Sequence, residues 1–137
     1  MKAVFSAYVN QRMIVTRPTL EQLLLNNVLD LRFVRRIQVP GRPATRRMLC
    51  TKSYDLLNTT NGKIVLNYTP PKRGKQINEA KDNACVVWDI IMQNYRVVSA
   101  EGVNIIKQIP ANEEFWNFFN KEIYTMNQAQ KLEYMDS

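Results

Sequence analysis

Apolar residues recur along the chain with two different periods, and the switches between them mark out the elements. Leu20, Leu23, Leu24 and Val28 fall at helical spacing and predict a helix over residues 19–29. Thr19 with Gln22 fits a capping box, and Pro18 stands just before the helix, where its missing N–H costs little. From Leu31 the period drops to two. Leu31, Phe33, Arg35 and Ile37 fall on one face, and Arg32, Val34 and Arg36 on the other. Pro40-Gly41-Arg42-Pro43 ends this strand in a turn, and residues 46–52 return as its hairpin partner. Residues 53–61 read as a helical turn or loop closed by Asn61-Gly62, and residues 63–68 as a third strand stopped by Pro70-Pro71. The polar stretch 72–83 reads as an exposed, mobile loop.

The second half repeats the strand pattern. Residues 85–92 form a strongly apolar strand, Gln93-Asn94 offers a tight turn, and residues 95–99 return as a second hairpin. Glu101-Gly102 turns again into a last strand over residues 103–109. Asn112 then caps a helix that has Glu113 and Glu114 in its first turn, where the helix dipole favours anions. Phe115, Phe118, Phe119 and Ile123 share one face of it, and a short helix over residues 127–135 follows. Residues 1–15 alternate weakly and predict a short strand. Short strands, tight turns and flanking helices together predict an α+β protein: a small, strongly bent antiparallel sheet, most economically closed as an SH3-like barrel. The whole chain, residues 1–137, reads as one domain. Its barrel spans residues 31–109 with an insertion at 54–83, and residues 111–136 form a helical part packed on it.

Composition narrows the chemistry. Hydrophobic residues make up 45% of the chain and charged residues 23%, the balance of a soluble globular protein. No apolar run approaches the roughly 18 residues a spanning helix needs, so no membrane partner is expected. Histidine is absent, which removes the commonest general base and the commonest zinc ligand. No carboxylate cluster has metal-ligand spacing. The two cysteines, Cys50 and Cys85, lie in apolar runs and read as reduced core thiols of a cytoplasmic protein. The expectation is a protein without catalytic residues, metal or cofactor.

Charge supplies the positive signal. The net charge is +7, and residues 1–47 are strongly basic while residues 111–137 are acidic. A basic lobe of this kind attracts polyanions, chiefly nucleic acid, or an acidic protein surface. If Met48 and Cys50 point inward, Arg47 faces solvent and Arg46 sits at the rim of the sheet. Arg32, Arg36 and Arg47 then make one cationic face extended by Lys52, and guanidinium forks suit phosphate oxygens. The same arginines also fit two other roles, edge-strand gatekeepers and partners in structural ion pairs. Lys72, Arg73 and Lys75 around Gly74 make a basic loop that could close over a nucleic-acid backbone, or simply be solvated; Walker-loop spacing is missing. Tyr95 is a candidate stacking platform for a base, whereas Trp88 reads as core. Arg96 is either a further phosphate contact or the partner of Asp89 across the second hairpin. Trp116, beside Phe119, either widens the core contact or marks a protein-binding patch.

Two segments, RRMLCT from Arg46 and VVWDIIMQNYRVVSAEGVNIIKQI from Val86, resemble the WYL-like family of phage and bacterial proteins. The matching positions are Arg46, Met48, Cys50 and Thr51, then Val86, Trp88, Asp89, Tyr95 and Arg96. The resemblance covers about residues 31–109. It lacks a literal Trp-Tyr-Leu triplet and is interrupted by the 54–83 insertion. What it implies is an Sm-like, SH3-type β-barrel used for binding, often of nucleic acid in regulatory proteins, and a small phage accessory protein working in the cytoplasm of an infected bacterium. The competing expectation is a protein-binding module that inhibits or redirects a host factor, with Trp116 and Phe119 at its contact.

Overall fold

A computed structural model describes residues 15–71 and 77–137; the expected first strand and the Lys72, Arg73 and Lys75 loop lie outside the described residues. Helix α1 (Arg17–Asn26) begins on Thr16, whose hydroxyl accepts from the Thr19 N–H at 3.4 Å. The cap is therefore three residues earlier than the capping box predicts, with Pro18 inside the first turn. The helix runs without a loop into strand β1 (Asn27–Val34), which starts four residues before the expected position. The Asn27 side chain holds the junction by donating to the Leu23 carbonyl at 3.0 Å.

Strand β2 (Thr45–Thr51) pairs antiparallel with β1 along its full length, Val28 opposite Thr51 through Val34 opposite Thr45. Gly41, with φ of +79° and nothing near its missing Cβ, makes the turn between them possible. Strands β3 (Ala84–Asp89), β4 (Asn94–Ser99) and β5 (Asn104–Pro110) complete one antiparallel sheet in the order β4-β3-β2-β1-β5. Its edges are β4 and β5, and no pairing between them is present among the described residues. The sheet is thus shown as antiparallel and five-stranded, but not as closed into a barrel.

Both faces of the central strands are covered, which is why β1 and β2 read as near-continuous apolar runs rather than clean alternation. On one face Leu29, Leu31, Phe33, Met48, Cys50, Cys85, Val87 and Ile105 pack under Leu20 and Leu24 of α1. On the other, Val28, Leu49, Trp88 and Ile109 pack under the connecting and later helices. A bulge in β5 reconciles the two. Asp30 stands opposite Lys107 but Leu31 opposite Ile105, so Ile106 is an extra residue. Ile105 and Ile109 would share a face of a regular strand; the bulge sends them to opposite cores.

The expected third strand at residues 63–68 is absent: residues 63–65 end a short helix and residues 66–68 follow it without regular structure. Ser53 caps α2 (Tyr54–Leu57), and Thr59 caps α3 (Thr60–Val65), its hydroxyl accepting from the Gly62 N–H at 3.0 Å. A Cβ on Gly62 would lie 2.3 Å from the Leu57 carbonyl oxygen, so only glycine lets α3 fold back against the end of α2. The β-branched pair Ile64-Val65 suggests a strand, yet Ile64 is exposed and finds no sheet edge, while the local cap decides the conformation.

The aromatic helix is α4 (Glu113–Phe118), with the Asn112 side chain accepting from the Glu114 N–H at 2.9 Å. It continues as one π-helical turn (Phe119–Ile123), which keeps Phe119 and Ile123 in the second core with Phe115. Helix α5 (Gln128–Asp136) opens on a full capping box between Asn127 and Gln130. It lies across the β1–β2 hairpin. No helix of the described residues is long and apolar enough to cross a membrane.

Candidate nucleic-acid interface

The segment 31–47 contains Arg32, Arg35, Arg36, Arg42, Arg46 and Arg47 and no acidic residue. The hairpin register sorts these arginines by what they meet. Arg46 lies opposite Phe33 on the α1 side of the sheet and is buried, 7% exposed. Its Nη2 donates to Asp89, which is 1% exposed. The guanidinium also sits 5.9 Å from the Phe33 ring centroid. Asp89 uses its other oxygen to accept from the Met92 N–H at 3.0 Å, closing the turn after β3. Arg46 is therefore an internal cation, not a rim contact, and Asp89 is its partner rather than that of Arg96. The Arg96 guanidinium donates to the Tyr95 carbonyl at 3.0 Å instead.

Arg47 points to the opposite face, as the period-two pattern predicts, but not into open solvent. Its Nε and Nη2 donate to the two oxygens of Asp30 at 2.9 and 2.6 Å, a bidentate pair. The Tyr134 hydroxyl of α5 donates to Asp30 at 2.7 Å, and the Arg47 guanidinium lies 4.5 Å from the Tyr134 ring centroid. Asp30 is 4% exposed and accepts three hydrogen bonds, which is how a carboxylate is accommodated inside a strand. Burial and the facing Asp30 carboxylate push the Tyr134 phenol well up, so it remains a donor.

Lys52 is the third correction. It is 6% exposed, and its Nζ donates to Glu79 at 2.7 and 2.8 Å and to Glu21 of α1 at 3.2 Å. Glu79 also accepts from the Val86 N–H at 2.8 Å. Hydrogen bonds from Arg17, then Lys52, hold the Glu21 carboxyl below its ordinary value. A group so lowered stabilises the fold above its unfolded pKa, and the contribution disappears as pH falls through the folded value. Thermal unfolding followed between pH 7 and about pH 3 should therefore show Tm dropping on the acid side, with a shallower drop in Glu21→Gln. Parallel acid limbs for the two proteins would contradict this role of Glu21.

The aromatic candidates are structural. Tyr95 is half-buried and packs edge-on against Trp88, centroids 4.9 Å apart. Its hydroxyl donates to the Thr69 carbonyl at 3.0 Å and lies 3.1 Å from the Tyr68 hydroxyl, so the ring is fixed in a cluster rather than presented for stacking. Phe119 is buried and cannot belong to a protein-binding patch. Trp116 is half-buried against Phe115 and Phe119, centroids 5.0 and 5.9 Å away. Burial pushes both the Cys50 and Cys85 thiols up, which disfavours the thiolate, and neither is in a disulfide. An open cleft of about 740 Å³ lies beside Tyr54, Val86 and Tyr95, but its ammonium group, Lys52, is already engaged by Glu21 and Glu79.

What the fold does bring together is the far end of the β1–β2 hairpin. Arg35 Nη2 and Arg42 Nη2 converge on one oxygen of Asp136, at 3.2 and 2.9 Å, and Arg42 Nε reaches the same oxygen at 3.3 Å. The Arg35 Nε also donates across the turn to the Pro43 carbonyl at 3.0 Å, which fixes the guanidinium plane. Arg32 Nε donates to the Ser137 main-chain oxygen at 3.3 Å, and the Arg47 Nη1 to the Ser137 hydroxyl at 3.2 Å. Arg36, next to Arg35 in the chain, is exposed, with no carboxylate partner among the described residues. Ile37 and Val39, 79% and 45% exposed, cap the hairpin. Of the sequence-derived candidates, Arg32 reaches this cluster and Arg36 is its exposed neighbour in the chain; Arg35 and Arg42 join it unforeseen. Their signal is the long turn, which curls their side chains back toward one point that strand alternation cannot anticipate. Comparison of the chain with protein-family models, with curated proteins and with solved structures finds no match.

Proposed function

We propose that this chain is a non-enzymatic nucleic-acid-binding protein that grips phosphates with the arginines at the end of its first hairpin. The observation that carries the reading is the convergence of Arg35 and Arg42 on a single carboxylate, Asp136, with Arg32 on the adjoining Ser137 main-chain oxygen and Arg36 exposed next to Arg35 in the chain. Such an excess of guanidinium over carboxylate repels itself unless an anion joins it, and phosphate oxygens fit the planar fork. The buried cations Arg46 and Lys52 have no part in the contact, and Arg47 contributes only as a scaffold. Kinship with the WYL-like family, with an Sm-like closure of the sheet and a role as a phage accessory or regulatory factor, belongs to the same proposal. Its support is the motif residues Met48, Cys50 and Trp88, which fill the two cores on either side of the sheet.

Titration of a labelled DNA duplex at several salt concentrations tests the reading. With about four phosphates neutralised, the log–log slope of affinity against salt is expected near −3.6. Arg36→Ala and Arg42→Ala should each make the slope shallower by about 0.9 and weaken binding to all sequences alike. A flat salt response, or slopes unchanged in both variants, would remove the hairpin arginines from the function.

A further inference from the structure

We propose that Asp136 stands where a nucleic-acid phosphate binds: the Arg35–Arg42 fork is a phosphate subsite that helix α5 covers until a phosphate displaces it. This rests on the nucleic-acid reading and adds a competitor from the protein itself. The fork that holds the Asp136 carboxylate presents the donors a phosphodiester takes. Three N–H groups from Arg35 and Arg42 crowd onto the single Oδ1 of Asp136. A phosphodiester, like a carboxylate, offers two oxygens to these donors, so either anion can fill the fork. The Ser137 main-chain oxygen on Arg32 is a second acceptor in the same patch, at the negative end of the α5 dipole. The end of α5 thus supplies one carboxylate and one main-chain oxygen to the arginines.

The cover is built to leave. No residue of α5 is fully buried, and Leu132 on it is exposed. Its attachment is largely polar: Tyr134 to Asp30, the Tyr134 ring under Arg47, and Asp136 to the fork. A nine-residue helix has little stability away from a surface. Segments held this way open at the low end of the local stability range. Asp30 keeps its bidentate bond to Arg47 when α5 departs, so the hairpin stays ordered while the fork becomes available.

Duplex titration at one fixed salt concentration tests the cover with Asp136→Asn, which keeps the shape and removes the competing charge. If the fork is open about a tenth of the time in the natural protein, Asp136→Asn should bind about tenfold tighter. Glu133→Gln, with the same change in net charge on the same helix, controls for general electrostatics and should bind like the natural protein. Adding Arg42→Ala to Asp136→Asn should abolish the gain. Amide hydrogen exchange over residues 128–136 should quicken when duplex is added to the natural protein. Salt-dependent binding by the natural protein with no gain in Asp136→Asn, an equal gain in Glu133→Gln, or unchanged exchange in α5 would each overturn the cover while leaving the binder intact. Absence of binding by every variant would overturn both.

Discussion

Asp89→Ala is expected to destabilise the fold by about 3–5 kcal/mol. The substitution leaves the Arg46 guanidinium inside the sheet with its carboxylate gone. Arg46 cannot swing into water, because it is 7% exposed and enclosed by Phe33 and the turn after β3. Its Nε already lacks a hydrogen-bond partner, so losing Nη2 as well strands most of the charge. The same change removes the acceptor for the Met92 N–H, which loosens that turn. Urea unfolding monitored by tryptophan fluorescence reads the loss. A cost below about 1 kcal/mol would mean that water reaches Arg46 and that the pair is a surface bridge. The double variant Arg46→Met/Asp89→Leu should recover much of the loss, because apolar side chains of similar size do not carry the desolvation cost of the ions.

Phe115→Ala is expected to cost about 3–5 kcal/mol as well, through an unrelated mechanism. Phe115 is fully buried and anchors α4 in the second core, beside Leu49, Trp88 and Ile109. Its ring packs against Trp116 and Phe119, and neither is free to fill the space, since Phe119 is held by the π-helical turn. Trp116→Ala removes a larger side chain from a half-exposed site and should cost less than Phe115→Ala. Equal costs for the two, measured by the same urea titration, would mean that Trp116 carries the contact between helix and sheet.

Much of the fold can be read from the chain because short-range signals and long-range packing agree there. The second hairpin, the last strand and the Asn112 cap combine turn signals with apolar runs, although the second hairpin turns over residues 90–93, so that Ile90, Ile91 and Met92 leave the expected strand and Asn94 joins the return strand. The reading fails where a local signal competes with a distant partner. Ile64-Val65 looks like strand until Thr59 caps a helix ahead of it. Asn27-Val28-Leu29 looks like the end of a helix until β5, far along the chain, supplies an edge to pair with.

The candidate site divides in the same way. That the first hairpin is cationic is plain from its composition, and the face of Arg47 follows from the period. Which cations meet carboxylates does not. Asp30 and Asp89 stand inside apolar strand runs, and a carboxylate in such a place needs a cation beside it. That signal was available, but it named no partner. Arg47 reaches Asp30 along the β1–β2 register and Arg46 reaches Asp89 across to β3; both depend on strand order. Asp136 meets Arg35 and Arg42 only because α5 crosses the sheet, and nothing within either segment encodes that meeting.

The position of β5 beside β1 bears on how the chain is born. β1 acquires β2 on one side almost at once, whereas its other border waits for residues about 70 positions further on. At ordinary translation speeds that is a delay of about 4–15 seconds. Throughout it a nascent chain carries an apolar ribbon with unsatisfied amides along one rim, open to any neighbouring polypeptide of extended shape.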